Sequence, residues 1–190
     1  MIYFVDNFVD KDLFIIAQNY LNDGAFVKHV SGGKDFYVKE SPKEFDTYIL
    51  NKMSEIEGKK LRNILSFFRE STNELDVTWR IHSDLNIAGE KPDRALVLYM
   101  SPREREDLHG TALWEHHKYG TEIPKNISNE DYDKMINVDA ENLDMWRLSS
   151  VVGYEQNRII SYPSSYFHSK YPNKSWKEGR RVYVMFYKYE

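Results

Sequence analysis

The sequence predicts an α+β fold in which helices come first and a mostly antiparallel sheet system follows, a helix-flanked sandwich or jelly roll. Three observations predict it. Apolar residues recur at helical spacing through the first 70 positions, and from Leu75 onward the texture changes to short β-rich runs. Gly, Pro, Asn and Asp separate those runs. The third observation is aromatic supply: 14 Tyr, 10 Phe and 4 Trp suit a strand-rich core and a walled pocket.

Residues 2–5 read as a first strand. Asp10 resembles an N-cap, and Leu13, Ile16, Ala17, Tyr20 and Leu21 follow at helical spacing until Gly24 closes the helix. A second helix is predicted after Pro42, with Phe45, Ile49, Met53 and Ile56 on one face. Gly58 stops it, and a third is predicted over 60–70 on Leu61, Ile64, Leu65 and Phe68. Beyond residue 75, LDVTWRIHSD, RALVLYMS, HGTALWEHH, SSVVGYEQ, NRIISYP and RRVYVMFYKY read as strands. A polar, acidic excursion over 118–146 has weak helical signals and sits where a lid could form. A chain of 190 residues suits one domain, with 1–74 as a strand-and-helix flank and 75–190 as its core.

Composition narrows the function. A net charge of −4, with no long basic stripe, carries no nucleic-acid footprint. The absence of cysteine excludes disulfides, thiolate metal sites and a Cys nucleophile, and fits a reducing cytoplasmic location. MIYFVDNFVD lacks a basic leader and meets Asp6 early, so neither a signal peptide nor a membrane span is expected. The sequons at Asn126 and Asn173 then read as accidental. No GxSxG, GxxxxGK[ST] or GxGxxG occurs, which removes serine-hydrolase, P-loop and Rossmann readings.

One tripeptide carries chemistry. In VTWRIHSDLN, read as a half-buried strand, His82 and Asp84 are two residues apart and project to the same face. An imidazole and a carboxylate on one face are two members of a 2-His-1-carboxylate triad, which holds Fe(II) and leaves coordination positions open. A second histidine and a group to hold a co-substrate are then needed. The C-terminal stretch offers His168 and the arginine pair Arg180-Arg181. The rivals of His168 are His109, His116 and His117. Adjacent histidines on a strand face opposite ways, so only one of His116 and His117 could join Glu115 or His82; His29 has no companions.

RIHSD, LVLYMS, HGTALWE, NRIISYPSSYFHSKYP and EGRRVYVMFY, in that order, resemble the core strands of the 2-oxoglutarate- and Fe(II)-dependent oxygenases. The likeness is strongest to the prolyl-hydroxylase-like branch, whose opening strand and helix IYFVDNFVDKDLFIIAQNYL also resembles. His109-Gly110-Thr111 is a departed version of that family's GGxT-like turn. The resemblance implies a double-stranded β-helix (jelly roll) with N-terminal flanking helices. It implies Fe(II) held by His82, Asp84 and His168, with 2-oxoglutarate as co-substrate and O2 as oxidant. Its Gly-x-Arg spacing selects Arg181 over Arg180 for the far carboxylate of 2-oxoglutarate. Arg181 shares a face with Tyr183 and Met185 and so could point inward, and Tyr99 is the resemblance's second contact to that carboxylate. The implied activity is hydroxylation of a small molecule or protein with conversion of 2-oxoglutarate to succinate. An aspartate at position 84 argues against a halogenase-like variant. A non-catalytic jelly-roll binding module and a cupin-type metalloprotein are the alternatives.

Overall fold

The computed structural model describes residues 1–31, 34–72, 79–101, 110–172 and 179–190. Its elements run β1 (Tyr3–Val5), α1 (Lys11–Asn22), β2 (Val27–Ser31), β3 (Lys34–Glu40), α2 (Lys43–Glu57), β4 (Leu61–Ser71), β5 (Arg94–Tyr99), β6 (Gly110–His116), α3 (Asn129–Asn137), β7 (Trp146–Gly153), β8 (Ile159–Pro163), β9 (His168–Tyr171) and β10 (Arg180–Tyr189). Two 3₁₀ turns, Asp139–Glu141 and Leu143–Met145, separate α3 from β7.

The strands form two antiparallel sheets. A seven-stranded sheet has the order β1-β8-β5-β10-β4-β3-β2, and a three-stranded one β7-β6-β9. The large sheet is apolar on both faces, as a strand layer covered twice must be. One face carries Phe68, Leu96, Leu98, Tyr183 and Met185 and buries Phe14, Ala17 and Leu21 of α1 with Phe45, Ile49 and Met53 of α2. The other carries Ala95, Val97, Ile160, Val182 and Val184 and packs on Leu113 and Val152 of the small sheet.

Both expected helices of the N-terminal region form. Asp10 accepts the Phe14 N–H through its carbonyl (2.9 Å), while its carboxylate turns to Lys52. Gly58, at φ +63°, ends α2 in the left-handed conformation that favours glycine. No helix among the described residues is long and apolar enough to cross a membrane.

The third expected helix is instead β4, paired to β10 from Ser71↔Arg180 to Leu61↔Tyr189. The register slips between Phe186 and Tyr187, whose partners are Leu65 and Asn63, so Ile64 is the extra residue of a β-bulge. An unbroken strand would put Leu61 and Phe68, seven apart, on opposite faces. The bulge brings both into the helix-covered core, and that seven-residue recurrence is what imitates a helix in the sequence. The stretch expected as a strand around His82 is a second correction. Residues 73–78 lie outside the described residues, and 79–85 make one isolated bridge, His82↔His168, instead of a ladder. The β2–β3 hairpin flanks β4 at the sheet edge and had no counterpart in the sequence reading.

Candidate metal centre

His82 and His168 stand directly opposite each other. The His82 N–H donates to the His168 carbonyl at 3.0 Å and the His168 N–H to the His82 carbonyl at 2.9 Å. Such a pair puts both side chains on one face, and the rings come within 4.4 Å of each other. That face is the interior between the sheets, because His168 also pairs with Leu113, which packs in the inter-sheet core. Asp84 is fixed two residues on by its N–H to the Ser164 carbonyl (2.8 Å).

The side chains are oriented as well as gathered. His82 Nδ1 lies 3.2 Å from the Arg80 carbonyl and His168 Nδ1 lies 3.0 Å from the Tyr166 carbonyl. A carbonyl can only accept, so each Nδ1 carries a proton, and Nε2 is the atom left to ligate a metal. Both Nε2 atoms face Asp84: His168 Nε2 is 3.3 Å from Oδ2 and His82 Nε2 is 3.8 Å from Oδ1. All three ligand atoms lie within 4.8 Å of one another. Burial, then the neighbouring His168 and Arg80, hold the His82 imidazole well below its ordinary pKa, so it stays neutral. Burial also raises the Asp84 carboxyl, against the opposing pull of His168, Arg69 and Arg80. Two imidazoles, each with its Nδ1 proton turned to a backbone carbonyl and its Nε2 turned to the cluster, and one desolvated carboxylate form a donor set that fits a divalent first-row cation.

Arg181 does not join this cluster. Its side chain lies on the Tyr183–Met185 face, as alternation requires, but that face is the one covered by α1 and α2. Arg181 Nε donates to Glu70 Oε1 and its Nη1 to Asn22 Oδ1, both at 2.7 Å. Arg180 occupies the inter-sheet face, buried, with its guanidinium 5.7 Å from the centre of the Tyr99 ring. The expectation that Arg181 points into the inter-sheet interior is therefore corrected: the arginine on that face is Arg180. Burial lowers the Arg180 pKa, and the Tyr99 and Tyr154 phenols oppose that shift.

Tyr99 is on the expected inner face. Its hydroxyl donates to Thr111 Oγ1 at 2.8 Å, and its ring stacks on Tyr154 at 4.3 Å. Tyr154, its pKa pushed up to about 12 by burial, donates to the Arg181 carbonyl (3.0 Å) and accepts the Ser101 N–H (2.8 Å). Tyr162 projects beside them from β8, its ring 4.6 Å from that of His168. Burial, then the Asp84 charge, holds its phenol well above the ordinary value. Sequence reasoning missed Tyr154 and Tyr162, although alternation with the apolar Ile160 in NRIISYP was a usable signal for Tyr162.

Among the described residues, the other histidines stay apart from this cluster. His109 lies outside the described residues, and His29 and His117 are exposed. His116 is buried on the opposite face of β6, among Trp114, Trp146 and Phe167. The 118–146 excursion packs there too: Ile123 and Met135 bury against Ile81, Trp114 and Phe167, behind the metal cluster.

No family profile matches the sequence, and no curated protein matches it. Solved structures do. HygX from Streptomyces hygroscopicus, determined with nickel, 2-oxoglutarate and hygromycin B bound, superposes over 98% of this chain and 82% of its own, with a TM-score of 0.62 at 13% identity. The α-ketoglutarate-dependent epimerase SnoN of nogalamycin biosynthesis gives 98%, 78%, 0.62 and 15%. A 2OG-Fe(II) oxygenase-family protein from Burkholderia pseudomallei gives 98%, 85%, 0.58 and 8%. An epimerase stands among them and SnoK is a carbocyclase, so the likeness does not single out the prolyl-hydroxylase-like branch. The chain has the fold of the 2-oxoglutarate- and Fe(II)-dependent oxygenases.

Proposed function

We propose that the protein is an Fe(II)- and 2-oxoglutarate-dependent oxygenase, one domain built on a double-stranded β-helix, that hydroxylates a small molecule or protein. One observation carries this reading: His82 Nε2, His168 Nε2 and Asp84 converge with both Nδ1 protons tied to backbone carbonyls. These three residues would hold the iron, and Arg180 would hold the far carboxylate of 2-oxoglutarate. Iron and 2-oxoglutarate, when bound, would supply O2 activation: 2-oxoglutarate would lose its C1 carboxylate as CO2, one oxygen atom would enter succinate and the other would be inserted into a substrate C–H bond.

The chain's own groups have separable roles. Arg180 offers a permanently charged, planar partner in a buried place, where a carboxylate offsets the cost of desolvating the guanidinium. Tyr99 and Tyr154 form the aromatic floor beneath it, and Tyr154 clamps the backbone at Arg181. Tyr162, kept protonated by burial and by Asp84, lines the metal side of the same interior as a neutral hydrogen-bond donor. The apolar inter-sheet core behind these residues excludes water from the reacting centre.

The test is anaerobic titration of the apo-protein with Fe(II) and then 2-oxoglutarate, watching the visible metal-to-ligand charge-transfer band. The band is expected in the wild type and absent in His82→Ala. A folded wild type that develops no band would sink the proposal.

A further inference from the structure

Ile81 and Phe167, the residues immediately before the two histidines of the metal cluster, point the other way, into a buried unit on the outer face of the small sheet. At its centre is a hydrogen-bonded couple that the chemistry above does not use. His116 and Asp139 are 2% and 4% exposed, with His116 Nε2 3.3 Å from Asp139 Oδ2. The Lys118 N–H donates to His116 Nδ1 at 3.1 Å, so that nitrogen is unprotonated and the Nε2–H is the proton given to the carboxylate. The tautomer is thus assigned by the surroundings, as it is for His82 and His168, but in the opposite sense.

This couple is tied to both ligand-bearing segments. Asp139 opens the turn Asp139–Glu141, and the next carbonyl, Ala140, accepts the Ile81 N–H at 2.9 Å. The Asp139 carbonyl accepts the Trp146 indole N–H at 2.7 Å. The Trp146 ring in turn meets the His116 ring edge-on at 4.6 Å and the Phe167 ring edge-on at 4.9 Å. The two paths are therefore Asp139–Ala140–Ile81–His82 and Asp139–Trp146–Phe167–His168. A buried carboxylate is costly unless it is hydrogen-bonded, so the couple stays in place only while the turn keeps its geometry.

We infer that His116 and Asp139 are positioning residues for the metal cluster, setting the spacing of His82 and His168 through the 139–141 turn and Trp146. The inference rests on the proposed function above, because it assigns those histidines to a metal. It predicts that disturbing the couple weakens metal binding and alters coordination in a protein that remains folded.

The experiment is titration of the apo-protein with Co(II) chloride, followed by calorimetry and by the Co(II) d–d spectrum. His116→Leu/Asp139→Leu removes both polar groups at once and leaves no orphaned charge. Trp146→Phe keeps the ring and removes only the indole donor. The double variant is expected to bind Co(II) about 10-fold or more weakly, with a shifted spectrum. Trp146→Phe is expected to weaken binding severalfold and provides the test if the double variant does not fold. Asp139→Asn can still accept the His116 Nε2–H and is expected to retain affinity and spectrum close to wild type. Lower melting temperatures with unchanged Co(II) affinity and spectrum would reduce the couple to packing and overturn the inference. Failure of the proposed function looks different: wild type and His82→Ala would then show the same absence of saturable binding, and both readings would fall.

Discussion

His82 and His168 are hydrogen-bonded to each other through both backbone N–H groups, at 3.0 and 2.9 Å, and this single bridge builds the site. Residue 82 lies in no ladder, so besides this bridge its segment is held by the Ile81 N–H to the Ala140 carbonyl and the Asp84 N–H to the Ser164 carbonyl. A metal ion shared by their Nε2 atoms joins the same two segments that this bridge joins. Binding should therefore stabilise the fold as well as fill the site.

At Co(II) concentrations near 100 times its dissociation constant, mass action adds about 2.7 kcal/mol to wild-type stability. For a chain of this size that is roughly 5–10 °C in melting temperature. His82→Ala and Asp84→Ala are expected to lose the increment. Thermal scans with and without Co(II) check this, and an equal rise in the variants would place the bound ion elsewhere.

The two adjacent arginines should behave oppositely. Arg180→Gln is expected to weaken 2-oxoglutarate binding about 100-fold, the equivalent of ~3 kcal/mol for two charge-assisted hydrogen bonds. Arg181→Gln removes contacts to Glu70 and Asn22 on the helix-covered face and should leave the co-substrate affinity alone. Titrating each iron-loaded variant with 2-oxoglutarate decides between them. The reverse ranking would return the role to Arg181.

At Gly110 the backbone of β6 has no room for a side chain against β7. A Cβ there would lie 2.1 Å from the Val152 carbonyl oxygen, a backbone atom that cannot step aside. Gly110→Ala is expected to cost about 1–3 kcal/mol by forcing β6 and β7 apart. Because Thr111 follows it and bonds Tyr99, the 2-oxoglutarate affinity should fall too. Denaturant midpoints and co-substrate titration measure the two effects, and a variant of wild-type stability would contradict this account.

Acid should destabilise the apo-protein through its buried histidines. Burial lowers the pKa of both His82 and His116 below the ordinary 6.5. Unfolding exposes imidazoles that take up protons the folded state refuses, so stability is full above about pH 6.5 and falls below it. The slope is up to about 1.4 kcal/mol per pH unit for each histidine. The raised Asp84 carboxyl works in the opposite sense over its own range, since its protonation favours the folded state. Melting temperatures between pH 7.5 and 5.5 test this. A flat apo profile would refute it, and Co(II) should remove the share contributed by His82.

Much of the site could be read from residue order. The HxD spacing of His82 and Asp84 has a local meaning on any extended segment, so it survived even though the predicted strand proved to be one bridge. His168 had no periodic signal and was chosen by its place downstream. Its partner became evident only through the backbone pairing. The misread helix at 60–70 shows the limit of periodicity: one bulged residue, Ile64, makes a strand recur at seven.

By itself, the sequence determined the first strand, the two N-terminal helices, most of the strands after residue 90 and, along β10, which side chains share a face. Those depend on neighbours along the chain, through alternation, capping and turn residues. Only the tertiary structure decided which face of β10 is the interior of the site. Val182, Val184 and Phe186 on one side and Tyr183, Met185 and Tyr187 on the other are all hydrophobic and all buried, so neither face stands out in the sequence. Alternation can say that Arg180 and Arg181 part company. The helices packed on one face and the small sheet on the other are what turn Arg180 into the inter-sheet interior.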